Sequence, residues 1–240
     1  MAITYPIKLP GLDLPIAGES VPISSIRFKP RSVVAISASP FTFQQQVQVH
    51  QGQIWAAEIH LPPLEHDEAQ EWIAALLSLN GIQGTFYLGD PAHRQPRGIP
   101  TGTPNVDGAG QKGQSLATKG WGGAPYIITE SGATLVMESG EKIITEQTFG
   151  SPGQLLAGDW IQLGSGSTQR IYRVLKDVNP DGDGKAIIDI WPRLRESPED
   201  EALLVFQNTM GIFRMADNEM IWDIDNLMKY GIELAVAEAI

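Results

Sequence analysis

The run Asp177-x-Asn179-x-Asp181-Gly182 has the front half of a calcium loop. An EF-hand also needs a bidentate Glu at the twelfth position and a helix on each side. The twelfth position here is Ile188, Asp189 falls one residue late, and both flanks are strand-like. The same residue types make a tight polar hairpin turn for backbone reasons alone. The four histidines, His50, His60, His66 and His93, form neither HExxH nor HxH, and His60 and His66 straddle the break at Pro62-Pro63. They read as solvated or hydrogen-bonded side chains rather than a zinc site. Gly164-Ser-Gly-Ser-Thr168 has neither the G-x-S-x-G spacing of a nucleophile elbow nor the GK[ST] end of a phosphate loop. Glu68 with Glu71, and Asp223 with Asp225, are paired carboxylates of the kind that does acid–base work. Their periodicity instead puts both pairs on solvated faces. Trp121 and Tyr126 suit stacking on a sugar, or pinning a loop to a core, and the second reading is favoured. No catalytic, cofactor-binding or metal-binding residues are assigned, and a non-enzyme is expected. Catalytic groups need not be neighbours in sequence, so order alone does not exclude a triad.

These residues sit on a largely β-type pattern. From Ile54 to Leu61, Trp55, Ala57, Ile59 and Leu61 alternate with Ala56, Glu58 and His60, the period of a half-buried strand. Val33–Ile36 and Val47–Val49 are shorter candidates. Arg27, Lys29 and Arg31 share a face opposite Ile26 and Phe28, and Pro30 confines that segment to a sheet edge or a strand end. One helix is expected over 65–80. Glu65, Asp67 and Glu68 favour its first turn, Ala69, Trp72, Ile73, Leu76 and Leu77 form an apolar stripe, and Asn80-Gly81 stops it. Gly84–Leu88, Asp159–Leu163, Arg170–Leu175 and Ala186–Trp191 read as further strands, as do Trp222–Asp225 and Tyr230–Glu238. Residues 98–125, rich in Gly, Thr, Pro and Gln, read as loop. An eight-residue repeat then runs through 127–147, twice closed by Glu-Ser-Gly, and suggests a small meander of hairpins or an arm.

The whole chain has 240 residues and a mass of 26.1 kDa, enough for one large domain or two small ones. Seventeen of its 25 glycines lie between Gly98 and Gly184, which marks an insertion or second domain after the proline-rich stretch around Pro91, Pro96 and Pro100. The expected organisation is therefore a β-sandwich with one flanking helix from 1–97 plus 211–240. Residues 98–210 form an inserted β-rich domain, a small barrel or sandwich carrying the 127–147 arm. The formal charge of −11 disfavours wrapping duplex DNA, which needs clustered Lys and Arg. The acids are spread, with net −3 over 1–96, −4 over 97–210 and −4 over 211–240. With no cysteine, disulfides, thiolate nucleophiles and Cys-ligated zinc are excluded. Met1–Pro6 lacks a basic n-region and an h-region, and no run approaches 18 apolar residues, so neither a signal peptide nor a membrane span is expected.

Several stretches, in this order, resemble the distal tail proteins of long-tailed bacteriophages: 39–48 (SPFTFQQQVQ), 55–63 (WAAEIHLPP), 72–81 (WIAALLSLNG), 84–91 (GTFYLGDP), 158–163 (GDWIQL), 190–194 (IWPRL) and 213–224 (FRMADNEMIWDI). The resemblance covers most of the chain and consists of structural residues, with no catalytic signature. It implies a tail-tube-like β-sandwich with one helix, assembled as a homo-oligomeric ring, a hexamer, at the junction of tail tube and tail tip or baseplate. The implied partners are other copies of the chain, the tail tube protein, tip or hub proteins, and genomic DNA passing without sequence recognition. No cofactor and no membrane are implied, and the location is the virion tail, assembled in the host cytoplasm. A lumen lined by acids repels phosphates and lets DNA slide. A tail tube, terminator or other tip subunit is the alternative within this class. A carbohydrate-binding adhesin or receptor-binding module is the alternative outside it, and a cell-wall hydrolase needing two convergent carboxylates ranks last.

Overall fold

The computed structural model describes residues 4–10, 23–98, 100, 102–122, 127–128, 134–135 and 154–240. It is mainly β, with 44% strand and 8% helix, and has two main sheets and one α-helix among the described residues. The chain divides into two compact units. One is Met1–Pro91 with Ser165–Gln169 and Met210–Ile240, and the other is Ala92–Gly164 with Arg170–Thr209.

The first unit is built on β1 (Ser25–Ala38), β2 (Gln45–His60), β3 (Phe86–Leu88), β11 (Gly211–Met215), β12 (Ile221–Ile224) and β13 (Tyr230–Glu238). The sheet order is β1-β2-β13-β11-β3, with β12 also on β13, and the named pairs are antiparallel. Register explains its two faces. Ile59 sits opposite Leu234 and Ala57 opposite Val236, which in turn faces Met215. Ile232, Leu234 and Val236, at alternate positions of β13, are buried, as are Ile59, Phe213 and Phe86. The opposite face carries Glu58, His60 and Glu233, the last two directly paired in register. Pro30 lies in β1, the edge strand, where its missing N–H is harmless.

The helix α1 spans His66–Ser78, slightly shorter than the expected 65–80. Asp67 and Glu68 occupy its first turn, and Asn80 ends it in the left-handed conformation at φ 53°. Ala69, Trp72, Ile73 and Leu76 are buried as the stripe requires, but Leu77 is exposed. At 100° per residue Leu77 lies beyond the edge of a stripe centred on Trp72 and Ile73, so an apolar residue there does not reach the core.

The second unit contains β4 (Gly102–Val106), β5 (Ser115–Trp121), β8 (Trp160–Leu163), β9 (Arg170–Val174) and β10 (Ala186–Trp191). Their order is β4-β5-β10-β9-β8. Residues 202–205 connect the two edges. The Val106 and Leu204 N–H groups donate to the Ala202 and Pro104 carbonyls, and Gln162 and Val205 exchange hydrogen bonds of 2.8 and 3.1 Å. The sheet thus closes on itself around Leu116, Ile161, Tyr172, Ile188 and other buried apolar residues. β4 and β5 correct the reading of 98–125 as loop. The burial alternates through Pro104 and Val106, then Leu116 and Thr118. Thr118 holds an inward position usually filled by an apolar residue, because its hydroxyl donates to the Ala186 carbonyl at 2.9 Å and accepts from Trp121 Nε1 at 2.7 Å. A buried polar group with both partners satisfied escapes a hydropathy pattern.

In the 127–147 repeat, the described parts are β6 (Ile127–Ile128) and β7 (Thr134–Leu135), paired antiparallel. The rest of the expected arm, and Tyr126, lie outside the described residues.

Candidate functional site

The residues singled out in the sequence are dispersed through the fold. Asp181 Oδ1 accepts the N–H groups of Asp183 and Lys185 at 3.0 and 2.9 Å, and Asp177 Oδ1 accepts the Ala157 N–H at 2.7 Å. Asp181 thus closes its own turn, Asp177 ties the turn to the 155–158 segment, and Ile188 is buried. No group of three or more His, Cys, Asp or Glu suited to a metal ion occurs among the described residues. The histidines stand apart. His50 is exposed, His60 Nδ1 lies 3.1 Å from Glu233 Oε1, His66 Nδ1 lies 3.1 Å from the Tyr230 hydroxyl, and His93 Nε2 lies 3.1 Å from Asp159 Oδ1. In the Gly164–Thr168 run, the Thr168 hydroxyl donates to the Ser165 carbonyl at 3.0 Å in a short 3-10 turn, so the polar side chains shape the connection. Glu68 and Glu71 are exposed on α1, and Asp225 caps the β12–β13 turn by accepting the Leu227 and Lys229 N–H groups at 2.8 Å each. Trp121 is buried, with its ring 5.6 Å from that of Phe206.

The sequence reading missed Asp159. Its side chain has no exposed surface. Oδ1 accepts the Arg97 N–H at 2.9 Å, and Oδ2 accepts the Leu156 and Gly98 N–H groups at 2.8 and 3.1 Å. Burial alone would push this carboxyl up. The N–H groups of Leu156, Arg97 and Gly98, with the His93 ring, outweigh that and hold it below the usual carboxylate range. The knot fixes 93–98 against the start of β8.

The acidic surface of the first unit is an open groove of about 540 Å³ on the sheet face bearing Glu58, His60 and Glu233. Five carboxylates and a single arginine line it: Glu58, Asp217, Glu219, Asp223 and Glu233 with Arg27. Glu58 is held low by its hydrogen bond from Lys29, despite some desolvation, and then by the nearby charges of Lys29 and Arg27. A carboxylate kept ionised by two cations is a poor general acid.

The outer half of the β1–β2 hairpin is an exposed apolar feature of this unit. Among the described residues, β13 pairs with β2 only over Ala56–His60, and residues 45–54 of β2 have β1 as their sole ladder neighbour. Val34 faces Val49 and Ile36 faces Val47 in register, which sets four β-branched side chains on one face. All four are exposed, Val49 by 74%, and at the tip Phe41 and Phe43 are exposed by 92% and 82%. In the sequence these residues stand out only as the short strand candidates Val33–Ile36 and Val47–Val49. The available signal was Gln44-Gln45-Gln46 and Gln48 around Val47 and Val49, beside Phe41 and Phe43. A ribbon with polar residues on one face and apolar residues on the other is half-buried somewhere.

No family model matches the sequence, and no curated protein matches it.

Proposed function

We propose that this chain is a self-assembling structural subunit of a phage-like tail, the distal ring that joins tail tube to tail tip or baseplate and surrounds the DNA channel. The resemblance of the sequence to distal tail proteins supplies the class. The observation that carries the reading is the exposed apolar arm of β1 and β2. A lone two-stranded ribbon is marginal in water, and each buried Val, Ile or Phe contributes about 1.5–3 kcal/mol. An arm with six such residues in solvent is therefore stabilised by covering it, and repeated copies of one chain cover such surfaces by closing a ring. The acidic groove supports the same reading, since a channel wall rich in carboxylates does not hold passing phosphates. The tail-tube-like sandwich and the hexameric stoichiometry are parts of this proposal. Tube, terminator and other tip subunits share its self-assembly. The adhesin reading is favoured less, because Trp121, one of its two stacking aromatics, is buried and bonded to Thr118.

The test is electron microscopy and light scattering of the purified chain beside a Val47→Ser/Val49→Ser variant. Rings with a central hole at about six times the 26.1 kDa subunit mass, lost in the variant without loss of melting temperature, are expected. A wild-type monomer at every concentration, indistinguishable from the variant, would sink the reading and turn attention to glycan screening.

A further inference from the structure

In the second unit, the three nearest atoms that a Cβ on Gly158 would meet are all guanidinium nitrogens. They are Arg97 Nη2 at 3.4 Å, and Arg173 Nη2 and Nε at 3.6 and 3.9 Å. Gly158 has φ +95° and lies in the turn closed by the Asp159 N–H on the Leu156 carbonyl at 2.9 Å. A side chain at that φ would be strained, and it would fill the space that the two cations face. Two guanidinium groups converging over one Cα carbon repel each other, and an anion between them relieves that repulsion.

Both arginines are fixed from behind. Arg97 Nε lies 3.5 Å from Asp159 Oδ1, and Arg97 Nη2 donates to the Ala157 carbonyl, yet the side chain is still 55% exposed. Arg173, opposite Trp160 in register, stacks its guanidinium 4.6 Å from the centre of the Trp160 ring, which is itself buried. The acids close by are already engaged. Asp159 is buried beneath the turn on backbone N–H groups and His93, and Asp177 accepts the Ala157 N–H at 2.7 Å. Side chains held in place before a ligand arrives lose little freedom on binding it.

We propose that the cradle over Gly158 is an oxyanion site for a phosphate group, free or ester-linked, gripped by Arg97 and Arg173. A carboxylate has two oxygens, which suit one guanidinium fork. A phosphate has oxygens for both forks at hydrogen-bond lengths of about 2.7–2.9 Å. The chain as a whole carries a charge of −11, so its overall field repels anions and a local pair of forks is needed to hold one. The site lies within the second unit and stands or falls apart from ring assembly.

Equilibrium dialysis of the full chain against radiolabelled inorganic phosphate, at fixed ionic strength, tests it. A single saturable site is expected. Arg173→Met keeps an apolar side chain over Trp160 and should weaken binding about tenfold or more, with the melting temperature of the free protein unchanged. If that variant melts early, Arg173→Lys decides, because it keeps the charge and loses the fork; full affinity in it would overturn the two-fork grip. Lys176→Met removes a cation nearby in sequence that pairs with Asp189, and it should bind as wild type does. Methyl phosphate that displaces the label supports an ester-linked ligand, and displacement by unlabelled phosphate alone supports the free ion. Acetate competing as well as phosphate would make this a carboxylate site and overturn the proposal. So would the lack of saturable binding, or a loss in Lys176→Met equal to that in Arg173→Met, the mark of a diffuse field.

Discussion

Replacing Asp159 by Asn changes one oxygen to an amino group and leaves size and shape nearly unchanged. In the native side chain Oδ2 accepts the Gly98 and Leu156 N–H groups, while Oδ1 accepts the Arg97 N–H and lies beside His93 Nε2. Whichever way the amide turns, its NH2 must point at one of these pairs. On the Oδ2 side it strands the Gly98 and Leu156 N–H groups, and on the Oδ1 side the Arg97 N–H, where His93 Nε2 can accept from it as the other tautomer, so one or two donors lose their acceptor at about 1–3 kcal/mol each. A total cost of about 1–6 kcal/mol at neutral pH follows, a large part of the 5–15 kcal/mol typical of a folded domain. The pH dependence gives a second check. The folded carboxyl titrates below its ordinary value. Its contribution is thus fully present above the unfolded value of about 3.9 and is lost as pH falls through the folded one. Urea unfolding followed by tryptophan fluorescence, at pH 7 and at steps below pH 4, measures both. The gap between wild type and Asp159→Asn should be wide at pH 7 and narrow in acid. A loss under about 0.5 kcal/mol at pH 7, as for an ordinary surface change, would refute the assignment of Asp159 as the anchor of 93–98. So would a gap that persists unchanged to pH 2.

Thr118→Val removes the donor to the Ala186 carbonyl and the acceptor of Trp121 Nε1, so the second unit should lose about 1–3 kcal/mol in the same urea assay. Gly184→Ala should destabilise it by about 2 kcal/mol or more by calorimetry, because φ there is +70° and a Cβ would lie 2.6 Å from the Trp121 carbonyl oxygen. Leu77→Gln should leave the melting temperature within a degree or two, since its side chain is outside the buried stripe. Calcium at millimolar concentration should leave melting unchanged, with Asp177 and Asp181 already accepting backbone N–H groups. A clear upward shift would reinstate the calcium-loop reading of 177–188.

The parts of the fold legible in the sequence are those where one face meets water and the other meets a core. β13 and the inner half of β2 alternate cleanly, and α1 shows its stripe, because burial on one side leaves a period in the residues. β4 and β5 escaped because inward positions are held by Pro104 and by a hydrogen-bonded Thr118. The anchor at Asp159 escaped for another reason. Its partners at 93–98 are about sixty positions away and are mostly backbone N–H groups, which every residue type carries. The arm was seen as strands but not as a surface. Apolar alternation states that a face is covered, and it does not state by which chain.

The pairing of β2 with β13 has a consequence for birth on the ribosome. The Trp55 N–H donates to the Glu238 carboxylate across 183 positions of sequence. β1 and β2 are made well before their sheet neighbour β13, with the residues of the second unit between them. The interval spans the synthesis of the whole second unit, contiguous but for its link at 165–169. The nascent chain therefore carries an apolar β-hairpin without its β13 neighbour until residues 230–238 have been made. Slow synthesis lengthens that window and invites hairpins of neighbouring chains on one polysome to meet. A chaperone that shields the early hairpin would raise the yield of native subunit without touching its final stability.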